Sequence, residues 1–105
     1  MLSEKEIQNQ ILDYLTSLHI GYFWQNDSVG IKGRRRANRY RPNGVSDIIG
    51  CCGGRFVAIE VKTRTNKQQI DQRIFEEKIR FAGGIYILAR SIEDVSYSLQ
   101  SHGLL

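Results

Sequence analysis

Between Ile48 and Val61, two runs of β-forming residues flank the pair Gly53-Gly54. Such a pair between such runs specifies a hairpin, because glycine tolerates the backbone that a tight turn demands. The hairpin constrains the rest of the chain through what stands at its open end: Gly44-Val45-Ser46-Asp47 before the first strand, and Glu60-Val61-Lys62 at the end of the second. Side chains alternate across a strand, so Glu60 and Lys62 point one way, and Val57, Ile59 and Val61 the other. Ionised groups on a sheet face that a small domain must cover cost free energy unless a cation, a partner or water compensates them. A divalent metal held by Asp47 and Glu60 would do so.

A chain of 105 residues, 41% of them hydrophobic, supports one modest core, so residues 1–105 are expected to form a single domain. Ser3 with Glu6 three positions later is a capping-box pattern that predicts a helix to about Leu18, with Ile7, Ile11, Leu15 and Leu18 on one stripe. Glu4 and Gln8 fall on that inward stripe, and Glu6 opposite it. An acid in a first turn is also favoured by the helix dipole alone. Ile20 to Gln25 reads as a strand. After the hairpin, Thr65 or Asn66 is expected to cap a second helix running to Ala82 and stopping at Gly83-Gly84.

That helix carries two apolar stripes: Phe75, Ile79 and Ala82 beside Gln72, and Ile70, Ile74 and Phe81 on the opposite side. One can cover the sheet, and the other calls for a partner subunit, hence a homodimer, or for packing beneath the C-terminal segment. The nearly continuous apolar run Ile85–Ala89 predicts a strand covered on both faces and lying inside the sheet. Ser91, followed by Glu93 and Asp94, caps a last short helix. The expected fold is therefore α/β, in the order αβββαβα, with a mixed central sheet flanked by helices.

Charge is concentrated. Lys32, Arg34, Arg35, Arg36, Arg39 and Arg41 are six of the fifteen basic residues, leaving nine for the rest of the chain against eleven acids. This segment, with Gly30, Gly33 and Pro42 as punctuation, predicts a long loop over about 27–43 that suits a polyanion, nucleic acid first; a merely solvated loop is the plainer reading. Tyr40 offers a stacking or phosphate-bonding ring within it. Cys51 and Cys52 are adjacent, so an ordinary intrachain disulfide or a four-ligand zinc site is excluded; they are read as reduced core residues of a cytoplasmic protein. No signal peptide and no membrane-spanning run is expected.

The hairpin can set Asp47 and Glu60 at neighbouring positions on adjacent strands, with Cβ atoms ~5 Å apart. Two hard carboxylates at that spacing suit Mg²⁺ or Mn²⁺ and leave coordination positions for water and a phosphate oxygen. Lys62 can hold the attacking water or stabilise charge developing on a phosphorane. Glu4 can complete the metal shell directly or through water, and Gln8 and Gln72 can orient water or phosphate. Taken alone, Glu-x-Lys on a strand is an ordinary solvated Coulomb pair of little value. Its company of Ser46-Asp47, Glu4 and the arginine segment argues for a site.

The order Glu4, Gly44-Val45-Ser46-Asp47, Ile59-Glu60-Val61-Lys62, Gln72 and Gly83-Gly84-Ile85 resembles the VRR-NUC branch of the PD-(D/E)XK nuclease superfamily over nearly the whole chain, closest to its small stand-alone phage and bacterial members. The resemblance implies a restriction-endonuclease-like αβββαβ core and a metal-dependent endonuclease acting on DNA. It further implies a homodimer with structure selectivity of the Holliday-junction or flap kind, and no small-molecule cofactor. It makes Asp47 and Glu60 metal ligands with the Val61 carbonyl, Lys62 the catalytic lysine, Glu4 the first-helix acid and Gln72 the helix glutamine. Ser46 stands where many members carry proline, a turn-setting position. The competing expectation is a nucleic-acid-binding module of nuclease-like fold that does not cleave.

Overall fold

The structure, a computed structural model, describes residues 1–26 and 42–105. Most of the expected loop, with Lys32, Arg34, Arg35, Arg36, Arg39, Tyr40 and Arg41, lies outside the described residues. The first helix, α1 (Glu4–Leu18), begins where its local chemistry dictates. Ser3 Oγ accepts from the Glu6 N–H at 3.1 Å, while Glu6 Oε1 accepts from the Ser3 N–H at 2.8 Å. Two otherwise orphaned donors are thereby satisfied. Ile7, Gln8, Ile11 and Leu15 form its buried stripe.

Strands β1 (Gly21–Gln25), β2 (Ile48–Cys52) and β3 (Arg55–Val61) run antiparallel, and β4 (Ile85–Ala89) pairs parallel to β3. The sheet order is β1-β2-β3-β4. The turn between β2 and β3 is Gly53-Gly54, with φ of 60° and 78°, conformations that L side chains rarely adopt. It pins the register Cys52↔Arg55 through Ile48↔Ile59. One more step brings Asp47 opposite Glu60.

The two sheet faces differ. On one, α1 and α3 (Ile92–Ser101) seal the main core, in which Ile11, Leu15, Ile48, Ile59, Val95 and Leu99 are inaccessible or nearly so. Each such side chain contributes roughly 1.5–3 kcal/mol of burial. On the other, α2 (Ile70–Phe81) packs Phe75 against Ala58 and Tyr86, with the two rings edge to face at 6.4 Å. Ile70, Ile74 and Phe81 point away and are 70%, 45% and 94% exposed, so the second apolar stripe has no cover within the described residues.

Four local expectations are corrected. β4 is an edge strand, buried on both faces except at Leu88, which is exposed; face burial carries no information about lateral neighbours. Helix α2 begins at Ile70 with Gln69 as N-cap, three or four positions later than expected; Gln72 accepts from the Gln69 N–H and fixes that start, while Asn66 gives its side-chain amide to Glu4. Cys51 is exposed, since it faces the half of the sheet that α2 leaves open; Cys52 alone is a core residue. Ala82 is exposed at the C-cap of α2. Among the described residues, no helix is long and apolar enough to cross a membrane.

The segment leading into β2 is pinned to α2 at Gly44. Its φ is 71°, and a Cβ there would stand 2.4 Å from the backbone carbonyl of Asp71 and 2.7 Å from the Gln72 nitrogen. Gly54 has the same backbone requirement but open space around it. Gly44→Ala is expected to cost more than the ~1–2 kcal/mol of left-handed strain alone, and Gly54→Ala about that strain. Urea denaturation of the two variants beside wild type measures the difference.

Candidate metal and phosphate site

Asp47, Glu60, Lys62 and Gln72 converge on the α2 face at the open end of the hairpin. Asp47 Oδ2 accepts from the Val61 N–H at 2.8 Å, and the Asp47 carbonyl accepts from the Asn26 N–H at 2.8 Å. The aspartate is thus tied to strand β3 by its side chain and to the end of β1 by its backbone. Glu60 is 2% exposed and Lys62 7%. Lys62 Nζ lies 3.5 Å from Glu60 Oε2, and Gln72 Nε2 donates to the same oxygen at 3.1 Å. Gln72 is itself held, its Oε1 accepting from the Gln69 N–H at 2.8 Å. The start of α2 and the orientation of Glu60 therefore share one side chain.

The other carboxylate oxygen of Glu60, Oε1, is buried without a hydrogen-bond partner, as is Ser46 Oγ. Loss of water raises the Glu60 carboxyl to about 8 from the usual 4.5; the nearby Asp47 charge adds to the rise and the Lys62 ammonium opposes it. Tyr86, also above its ordinary value through burial, receives a hydrogen bond from Gln68 at 3.1 Å beneath α2. Two carboxylates with one ammonium leave a site short of positive charge, and an orphaned acceptor shows where the shortage falls. A divalent cation with oxygen ligands fits that donor set.

Of the other expected site residues, Glu4 accepts a hydrogen bond from Asn66 Nδ2, and Gln8 is buried with its Oε1 accepting from Gln25 Nε2 at 3.0 Å. Gln8 thus braces α1 against β1. Among the described residues, no three His, Cys, Asp or Glu side chains form one group able to hold a metal, so the acids brought together are Asp47 and Glu60. A cavity of about 350 Å³, lined by Met1, Leu2, Thr63, Arg64, Arg90 and Ser91 among others, includes neither acid. Sequence reasoning missed the tie from Asp47 to the Val61 N–H; the register set by the diglycine turn was the available signal.

A scan against protein-family models, a search of curated proteins and a search of solved structures each find no match.

In the metal-free protein, folded Glu60 keeps its proton up to about pH 8, whereas the unfolded chain releases it near 4.5. The folded state binds more protons in that interval, so stability falls as pH rises through it, by on the order of a few kcal/mol. Thermal melts in chelator from pH 5 to 8.5 are expected to show this decline, and Glu60→Gln to flatten it.

Proposed function

We propose that this chain is a Mg²⁺- or Mn²⁺-dependent endonuclease that hydrolyses phosphodiester bonds in DNA. The observation that carries the reading is the pairing of half-buried Asp47 with buried Glu60, with a partnerless Glu60 oxygen and a single ammonium, Lys62, beside it. Carboxylate oxygens are hard ligands, and Asp47 and Glu60, assisted by the Val61 carbonyl, are the residues that would hold the ion. When bound, the metal supplies Lewis-acid polarisation of a phosphate oxygen and a bound water of lowered pKa.

The chain's own groups do the rest. Gln72 fixes Glu60 through its amide, so the carboxylate is a ligand already oriented. Lys62 holds a positive charge in a water-poor setting, where charge developing on a phosphorus centre is stabilised more strongly than in bulk water. Its primary role in this reading is electrostatic. Asp47 stays anchored to the Val61 N–H, which keeps one carboxylate oxygen in a defined place. Glu4, which accepts from Asn66, would complete the shell directly or through water. The concentration of basic residues in the segment from Lys32 to Arg41 supports a polyanionic substrate. In this reading the outward stripe of α2 pairs two copies, and selectivity for branched DNA follows from the resemblance rather than from any contact in the site.

Purified protein should cleave DNA with Mn²⁺ and stop on chelation. Asp47→Ala and Lys62→Ala should each lower the rate at least about a hundredfold, and Gln72→Ala about tenfold or more. A panel of linear, nicked, flap and four-way substrates ranks the DNA shapes. Mn²⁺ should also raise the melting temperature more at pH 8 than at pH 6, since proton and metal compete for Glu60; an equal effect in Glu60→Gln would count against this pair as the ligands. For the dimer, Ile74→Arg should reduce the mass measured by light scattering, and a wild type already monomeric removes that part.

A further inference from the structure

The α2 face of the sheet is only half covered. The helix lies over Ala58 and Tyr86, and across the β1 and β2 half the outward side chains are Tyr22, Trp24 and Cys51, with Phe56 next to them on β3. Tyr22 is 75% exposed and Trp24 46%, their ring centroids 5.6 Å apart and their planes inclined by 44°. They belong to the same face as the metal-site acids: Trp24 pairs with Ile49, which is two residues from Asp47 along β2. By strand geometry Trp24 is therefore roughly 8 Å from Asp47 across the sheet, and Tyr22 one row further out.

We propose that Tyr22 and Trp24 form a stacking platform for unpaired bases of a nucleic-acid strand whose backbone continues to Asp47 and Glu60. The proposal rests on the nuclease reading for the destination of that strand. Aromatic rings on an open sheet face take up single-stranded bases, because every base has a π-face; stacking is largely indifferent to sequence. A duplex hides those faces. Charge agrees, since within β1, β2 and β3 the only carboxylate is Glu60 itself, so a polyanion crossing this half of the sheet meets no repelling acid before the site. The phenol and indole also keep polar atoms at their tips, which suits a wet surface visited by nucleotides better than a dry permanent interface.

Trp24 is the sole tryptophan of the chain, so its emission reports on this face directly. In chelator, where no cleavage occurs, a single-stranded oligo-dT 20-mer should quench Trp24 saturably, and a blunt duplex of the same length should not. Oligo-U in a parallel arm tells whether the sugar matters, and quenching by either strand supports the platform. Tyr22→Ala, followed by quenching, and Trp24→Leu, followed by anisotropy of labelled oligo-dT, should each weaken binding about tenfold or more. Tyr22→Ala should keep the wild-type melting temperature, because that ring is exposed, and Trp24→Leu should remain folded with a small decrease.

Unchanged Trp24 emission at strand concentrations that give anisotropy, wild-type affinity in both variants, or no strand binding at all would overturn the proposal. So would emission that changes with protein concentration alone and loses that change in Tyr22→Ala, which assigns the face to a second copy. Quenching without Mn²⁺-dependent cleavage leaves the platform standing and removes the nuclease; cleavage with unquenched Trp24 does the reverse.

Discussion

Charge shortage at the open end of the β2–β3 hairpin organises this molecule. Asp47 and Glu60 bring two carboxylates to a place that holds one ammonium, and burial removes the water that would otherwise share the load. The metal-free solution is a proton on Glu60, retained to about pH 8. Such a site is tolerated because the surrounding bonds leave its members few alternatives. Asp47 is fixed by the Val61 N–H, Glu60 by Gln72 and Lys62, and Gln72 by the first turn of its own helix. Gly44, packed on Asp71 and Gln72, keeps the entry to β2 in step with that helix.

The two faces of the sheet divide the work of stability and chemistry. The face under α1 and α3 is a continuous apolar core, and the buried charged residues among those described, Glu60 and Lys62, lie on the other face. The α2 face holds a small cluster around Phe75 and Tyr86, then the polar site, then open aromatic surface. Because α2 is a short cover held by few large side chains, its first turn is where the cost of burying Glu60 is balanced locally: Gln72 serves the helix end and the acid at once. A helix starting at Asn66 would have set Gln72 in a second turn, with its carbonyl oxygen unavailable to the Gln69 N–H as an N-terminal cap.

What was legible in the sequence was local. The Ser3–Glu6 box, the diglycine turn and the cap at Ser91 are satisfied within a few residues, and each appears as expected. The opposition of Asp47 and Glu60 was legible because the turn fixes the register between them. The rest depended on contacts that spacing does not encode. Asn66 is bound by Glu4 from 62 residues away, and α2 starts beyond it, where Gln72 accepts from the Gln69 N–H. The apolar run of β4 reports cover above and below but not its position at the sheet edge. Cys51 looks like a core residue in its strand, and only the limited reach of α2 exposes it.

Polar satisfaction gives a further argument for a working site. Among the described residues, the buried side-chain atoms without any partner are Ser46 Oγ and Glu60 Oε1. They flank one aspartate: Ser46 precedes Asp47 in sequence, and Glu60 opposes it across the ladder. Buried groups left unpaired cost about 1–3 kcal/mol each, so a chain folding for stability alone would spread or remove them. An alanine at 46 would delete one, and a glutamine at 60 would ease the other. Ser46 stands near the Tyr86 hydroxyl, and the other buried polar side chains among the described residues, Gln8 and Lys62, have partners, so the unmet capacity falls at the Glu60 oxygen beside Asp47. In the proposed reading the partner of that oxygen is a bound ion or its water.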